Sequence, residues 1–162
     1  MYIRDAVEAD LEAIVHIYNQ SIPSRNATAD TEPVSVASRS PWYSDRKNHR
    51  PLWVAESNQN IVVGWLSFQS FYGRPAYHHT AEVSIYVATE YHRQGIGSRL
   101  LTKAIARSPE LNIETLLSFI FAHNQPSLNL FTRYGYSQWG YLPDVAELDG
   151  IKRDLIILGR KI

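Results

Sequence analysis

The sequence predicts an α+β fold with a mixed sheet, and three features carry that prediction. After a short apolar stretch at Tyr2–Asp5, Leu11, Ile14, Val15 and Tyr18 recur at the i, i+3, i+4, i+7 spacing of an amphipathic helix that Asp10 opens. Residues Thr80–Ala88 alternate, with Val83, Ile85 and Val87 on one face and Glu82, Ser84 and Tyr86 on the other, which is the period of a strand. Between that strand and a helical pattern at Arg99–Arg107 lies the turn His92-Arg93-Gln94-Gly95-Ile96-Gly97-Ser98.

The remaining elements follow the same logic. Pro23 ends the first helix, and a polar stretch from Ser24 to Pro33 leads to a weaker helical pattern around Ser35–Asn48. Leu52–Glu56 and Ile61–Phe71 are expected as a hairpin turning at Ser57-Asn58-Gln59-Asn60. Leu100, Leu101, Ala104 and Ile105 give the Arg99–Arg107 helix its apolar side, and Pro109 stops it. Thr115–Ala122 is β-branched and aromatic, Asn124–Tyr134 is helical, and strands are expected at about Tyr136–Leu142 and Lys152–Leu158.

Composition narrows the function classes. The 162 residues fit one domain, expected to span 1–162, since no repeat, low-complexity tract or Gly/Ser/Pro linker divides them. With 44% hydrophobic residues and 12% aromatic, the chain can build its own core. The absence of Cys removes disulfides, thiolate metal sites and a cysteine nucleophile. Sixteen basic residues against sixteen acidic ones argue against a nucleic-acid or acidic-membrane partner. Acidic residues precede any apolar run, and none approaches the roughly 18 residues of a membrane span. A cytoplasmic location is expected.

Gly95-x-Gly97 at the mouth of a helix suits an anion, because glycines let backbone approach it and free N–H groups and the helix dipole point at it. A tight turn needing permissive dihedrals would look the same. The turn lacks the third Gly and distal acid of a dinucleotide fingerprint, and the Gly-Lys-[Ser/Thr] of a P-loop.

The order Val83-x-Ile85-Tyr86-Val87, His92 through Leu101, Asn124-x-x-Ser127 and Tyr134-Gly135-Tyr136 resembles the GNAT N-acetyltransferases. More narrowly, four segments resemble the phosphinothricin and methionine-sulfoximine acetyltransferase branch: Tyr18-Asn19, Ala27-Thr28-Ala29, Arg74-Pro75-Ala76-Tyr77-x-x-Thr80-x-Glu82 and Gly135-Tyr136. The resemblance implies a GNAT fold, whose central mixed, mostly antiparallel sheet of six to seven strands is flanked by about four helices. It implies acetyl-CoA as co-substrate, a small-molecule amine as acceptor and a homodimer with the acceptor site near its interface. Backbone groups of Ile85, Tyr86 and Val87 would pair with the pantetheine arm, and amides of Arg93, Gln94, Gly95, Ile96, Gly97 and Ser98 would hold the pyrophosphate. Asn124 would contact the coenzyme with Ser127; as an N-cap, Asn124 has an equally good structural use. Arg74 would bind the acceptor carboxylate, with Tyr77 and His78 alongside.

Glu82 is the carboxylate placed to accept a proton from the acceptor ammonium, through water; a cross-strand ion pair is the alternative. Adjacent strand residues point to opposite faces, so His78 and His79 cannot share a metal ion, and no metal site is expected. His16 and His49 carry only surface readings, and His123 is a possible contact beside Asn124. Trp42, Tyr43, Trp53, Trp65, Tyr72 and Trp139 are core or interface residues by default, some of them walls of an acceptor pocket.

Three positions and one loop depart from the family or branch pattern. His92 stands where the family pattern starts with Gln or Arg, and His78 where the branch carries Arg. Phe131 occupies the place of a Tyr or His that would protonate the departing thiolate, a leaving group tolerable without an acid because thiol pKa values lie near 8.5. Gly150-Ile151-Lys152-Arg153-Asp154 lacks the branch's Gly-Arg-Trp, which weakens phosphinothricin itself as acceptor. Three readings stand beside transfer to a small amine: acetylation of a peptide N-terminus, a non-catalytic acyl-CoA-binding module, and a nucleotide site on the Gly95–Gly97 turn.

Overall fold

A computed structural model describes residues 1–162. Seven strands form one sheet in the order β1-β2-β3-β4-β5-β7-β6, with β1 Tyr2–Asp5, β2 Leu52–Glu56, β3 Val62–Ser70, β4 Thr80–Val87, β5 Thr115–Phe121, β6 Ser137–Leu148 and β7 Ile151–Lys161. Every neighbouring pair is antiparallel except β4 and β5. Four α-helices flank the sheet, α1 Leu11–Ser21, α2 Val36–Ser44, α3 Ile96–Arg107 and α4 Gln125–Arg133. The α+β class and the mostly antiparallel mixed sheet are as the sequence predicts. No helix is long and apolar enough to cross a membrane.

The alternation along each strand separates two cores. Leu66, Phe68, Val83 and Leu116 meet Leu100, Leu101 and Phe131 on the side of α3 and α4, while Val54 and Trp65 meet Ile14 and Ile17 of α1 on the other. Trp65 anchors α1 further, its Nε1 donating to Ile14 O at 3.1 Å. Ser35 caps α2 by accepting from Ser38 N at 3.1 Å.

Element ends differ from the periodic pattern for identifiable reasons. Helix α3 starts at Ile96, ahead of the expected Arg99, because Gly95 takes the left-handed conformation (φ +79°) at its N-cap and Ile96 is already buried. Helix α2 is shorter than Ser35–Asn48; it buries no residue and carries Pro41 inside it. Strand β6 continues past Leu142 to Leu148 because a bulge between Leu142 and Ala146 absorbs Pro143 and the left-handed Asp144. Asp149 and Gly150, both at positive φ, then turn the chain into β7, which runs on to Lys161 as the partner of β5.

Candidate active site

The site begins where two strands part. β4 and β5 pair only at Thr80–Thr115, Ala81–Leu116 and Glu82–Leu117, and beyond Glu82 they no longer pair. Backbone groups alternate in direction along a strand. Ala88 N donates to Val63 O at 2.9 Å, so Tyr86 turns its backbone toward β3 while Val83, Ile85 and Val87 turn theirs toward the gap. Ser118 Oγ donates to Val83 O and His92 Nε2 to Val87 O, each at 2.9 Å. Both polar groups of Ile85 and the N–H of Val87 remain, an unused strand edge beside a cavity of about 50 Å³. Ile85, Ser118, Asn124, Ser127 and Phe131 line it.

At the gap's end, α3 presents the first-turn amides of Ile96, Gly97 and Ser98, which have no acceptor in the helix; only from Arg99 N, donating to Gly95 O at 3.0 Å, does bonding begin. Arg93 (φ +63°) and Gly95 hold the loop left-handed. A Cβ on Gly97 would come within 3.2 Å of Leu130 Cδ2, so glycine also lets α3 lie close to α4. Arg93 and Gln94 are exposed. Asn124 is buried and its Oδ1 accepts from Ser127 N at 3.3 Å, so the N-cap role is realised at the cavity wall. Phe131 brings only carbon to this wall and packs edge-on against Tyr136.

A second cavity, of about 150 Å³, lies between the sheet and helices α1 and α2. Its walls are aromatic and aliphatic, chiefly Ile14, Tyr18, Trp42, Trp65 and Tyr86, and Ser67, Gln69, Ser84 and Arg39 supply polarity. Trp65 stacks on Tyr86 with ring centroids 4.6 Å apart, and Tyr18 meets Tyr86 edge-on at 5.0 Å. Ser84 and Tyr86 line both cavities, so β4 forms their common wall. Burial pushes the Tyr86 hydroxyl far above its ordinary range, keeping it a hydrogen-bond donor at neutral pH. It reaches Ala27 O at 3.3 Å.

Glu82 stands on the same face as Ser84 and Tyr86, opposite Gln69, just beyond the lining of the larger cavity. No ion pair holds it, and burial raises its carboxyl above the usual carboxylate range. The cross-strand ion pair is therefore not formed. Arg74, Tyr77 and His78 are not brought to either cavity: they lie exposed on the β3–β4 loop, where the His78 ring is tilted against His49 with centroids 5.6 Å apart. His123 stacks on Phe121 and its Nε2 lies 2.8 Å from Arg25 O, which ties down the loop after α1. His16 and His79 contact Gln20 and Asn112 O. No three His, Asp or Glu side chains converge as a ligand group.

Of the tryptophans and tyrosines, Trp42 and Trp65 wall the larger cavity, Trp53 belongs to the core and Trp139 is exposed. Arg39, Ser67, Gln69 and Ser84 complete that cavity without any sequence pattern having singled them out as site residues. Ser84 could have been found as the neighbour of Glu82 and Tyr86 on the polar face of β4. Arg39 lies in a helix with almost no amphipathic signal.

Known proteins resemble this chain in sequence and fold. The model of the acetyltransferase (GNAT) family matches residues 11–136. A Bacillus subtilis (strain 168) protein provisionally named phosphinothricin acetyltransferase is 51% identical over 162 residues, 100% of this chain and 99% of that one. The L-methionine sulfoximine/L-methionine sulfone acetyltransferase of Pseudomonas aeruginosa is 30% identical over 157 residues, 96% and 91% of the two chains. The crystal structure of a GNAT superfamily phosphinothricin acetyltransferase from Sinorhizobium meliloti, in complex with acetyl-CoA, superposes with a TM-score of 0.93 at 28% identity, covering 99% and 88% of the chains. With its split strands, glycine turn and full-length relatives, this chain belongs to the acetyltransferase (GNAT) family and is an N-acetyltransferase.

Proposed function

We propose that the chain, as a single domain over residues 1–162, transfers the acetyl group of acetyl-CoA to the primary amine of a small molecule. The acceptor class is an amino acid or analogue such as methionine sulfoximine, methionine sulfone or a phosphinothricin-like compound. One observation carries the reading: the cavity beside the free edge of β4 and the aromatic pocket share Ser84 and Tyr86 as walls, which puts a thioester site and an amine site on either side of the same two residues. The relatives' names and the acetyl-CoA complex of one of them support it.

The residues fit acetyl-CoA. The Ile85 backbone and the Val87 N–H are free to pair with an extended amide-containing arm, and the amides of Ile96, Gly97 and Ser98 face outward at the positive end of a twelve-residue helix. Arg93, Gln94 and Gly95 shape the approach to them, and Asn124 and Ser127 border the arm. When bound, acetyl-CoA supplies a thioester whose carbonyl carbon accepts the amine. Within Ser84–Val87, the free N–H groups of Ile85 and Val87 are the ones that can polarise that carbonyl. Glu82 takes the ammonium proton through water, and burial, which raises its carboxyl's pKa, makes it a stronger base than an exposed carboxylate. Attack is direct, since Cys is absent and no Ser sits in a nucleophile sequence pattern. The carbon wall at Phe131 leaves the thiolate to depart without a side-chain acid at that position. In the homodimer that the resemblance implies, a second copy would have to bring Arg74, Tyr77 and His78 to an acceptor.

Thiol release from acetyl-CoA tests this across the proteinogenic amino acids, methionine sulfone, methionine sulfoximine and phosphinothricin, with calorimetry of acetyl-CoA alongside. Turnover on at least one amine is the expected result. Tight coenzyme binding with turnover on none would overturn it in favour of a peptide acceptor or an acyl-CoA-binding module.

A further inference from the structure

Beyond Glu82 no ladder joins β4 to β5, so other bonds must set the width of the gap between them. Ser118 Oγ, donating to Val83 O, holds its near end. Farther along, the gap is crossed by the chain between α1 and α2. Tyr86, on β4, donates its hydroxyl to Ala27 O at 3.3 Å, and His123, just past β5, donates Nε2 to Arg25 O at 2.8 Å. These two carbonyls tie one short segment to both banks of the gap. Ala27 itself lines the cavity beside the free edge of β4.

A third attachment comes from the β6–β7 turn. Arg25 donates through Nε to Asp149 Oδ2 at 2.9 Å and through Nη2 to Asp149 Oδ1 at 3.3 Å, a two-pronged contact. Its Nη1 donates to Thr31 O at 2.8 Å, so the same guanidinium also folds the segment on itself. Asp149 sits at φ +52°, in the left-handed region that Asp and Asn enter more readily than most residues. Its carboxylate pairs only with Arg25, and the side chain is 62% exposed. An exposed ion pair adds little to overall stability and is weakened by salt. Such a contact can be made and broken while the fold stays intact.

We propose that residues 24–31 form a strap across the cleft with Asp149 as its latch, and that Asp149 and His123 are positioning residues for the acyl end of the coenzyme. Closed, the strap holds Ala27 against the cavity and keeps β4 and β5 at a fixed spacing, which retains the thioester and keeps bulk water from it. Open, it lets the spent coenzyme leave. The inference rests on the acetyl-transfer reading above only in that acetyl-CoA fills this cleft. It gives the β6–β7 turn a part in the reaction without any contact with substrate.

Asp149→Asn tests the latch, because it keeps the size and backbone preference of the side chain and removes its charge. Surface plasmon resonance should show acetyl-CoA leaving this variant about two- to fivefold faster than wild type, the factor that corresponds to losing an exposed ion pair. Thermal unfolding should match wild type. The ratio of variant to wild-type release rates should fall toward one as salt rises from about 50 mM to about 1 M, because salt opens the wild-type latch. His123→Phe keeps a ring on Phe121 and removes the donor to Arg25 O, and it should speed release at every salt concentration. Wild-type release from either variant would overturn the proposal, and so would faster release from Asp149→Asn that ignores salt and comes with a lower melting temperature. Faster release from both variants with no amine acetylated would defeat the acetyl-transfer reading and leave the strap standing. A wild-type protein that binds no acetyl-CoA would defeat both.

Discussion

Replacing Glu82 by Gln should slow acetyl transfer and stabilise the protein, two effects of opposite sign from one carboxyl. The kinetic size follows from strand geometry. Glu82 is two residues from Ser84 on the same face, about 7 Å along the strand, beyond direct hydrogen-bond reach of an amine at Ser84 and within reach of one bridging water. The substitution leaves that water in place, so the loss falls at the lower end of the general-base range, about 10²-fold in kcat/KM, or about 2.7 kcal/mol. The wild-type rate should rise with pH through the raised pKa of Glu82, and the variant should lose that limb.

For stability, burial disfavours the charged carboxylate, so the folded chain holds this proton to higher pH than the unfolded chain. From the ordinary Glu value up through the raised folded one, the folded state binds more protons, and stability falls as pH rises. Below that window both states are protonated and no difference remains. Thermal unfolding should therefore find Glu82→Gln level with wild type near about pH 4 and more stable near about pH 8. Unchanged kcat/KM with an unchanged pH limb would refute the base assignment, and a variant less stable at the higher pH would refute the desolvation argument.

Two further substitutions probe the scaffold. Arg46→Met strips charged donors from three carbonyls and from Ser67, and urea unfolding should show a loss of about 3 kcal/mol; under 1 kcal/mol would mean that water replaces those bonds. At Gly95 a Cβ meets nothing within 4 Å, so Gly95→Ala is charged only for the left-handed backbone, about 1–2 kcal/mol by denaturant unfolding. Calorimetry of the same variant should show weaker acetyl-CoA binding, because relief of the strain moves the amides of Ile96–Ser98.

What could be read ahead of the structure was whatever is written in consecutive residues. The polar and apolar faces of β4 and the apolar side of α3 repeat at short period, and they place Glu82 and Ile85 correctly on β4, whereas Gly97, expected in the turn, lies in the first turn of α3. The acceptor pocket is different in kind. Its wall gathers Tyr18 from α1, Arg39 and Trp42 from α2, Ser67 and Gln69 from β3 and Ser84 from β4, and only the folded sheet brings them together. Trp42 and Trp65 were visible as aromatics, yet nothing in their spacing separates a pocket wall from core. Loop residues such as Arg74 are the converse: a local sequence pattern drew attention to them, while their position depends on the β3–β4 turn, which carries them into solvent.

The wall that both cavities share at Ser84 and Tyr86 divides the chain into two inheritable halves. Walls that would judge the acceptor come from residues 14–69, those that would cradle the coenzyme lie mostly at 83–131, and β4 is the hinge of meaning between them. Evolution can therefore rewrite what is acetylated by editing the first half while leaving the donor machinery untouched. A chimera joined within the exposed β3–β4 loop would transplant acceptor choice as a module, carrying Arg39, Trp42 and Trp65 into a relative whose glycine turn is already in place.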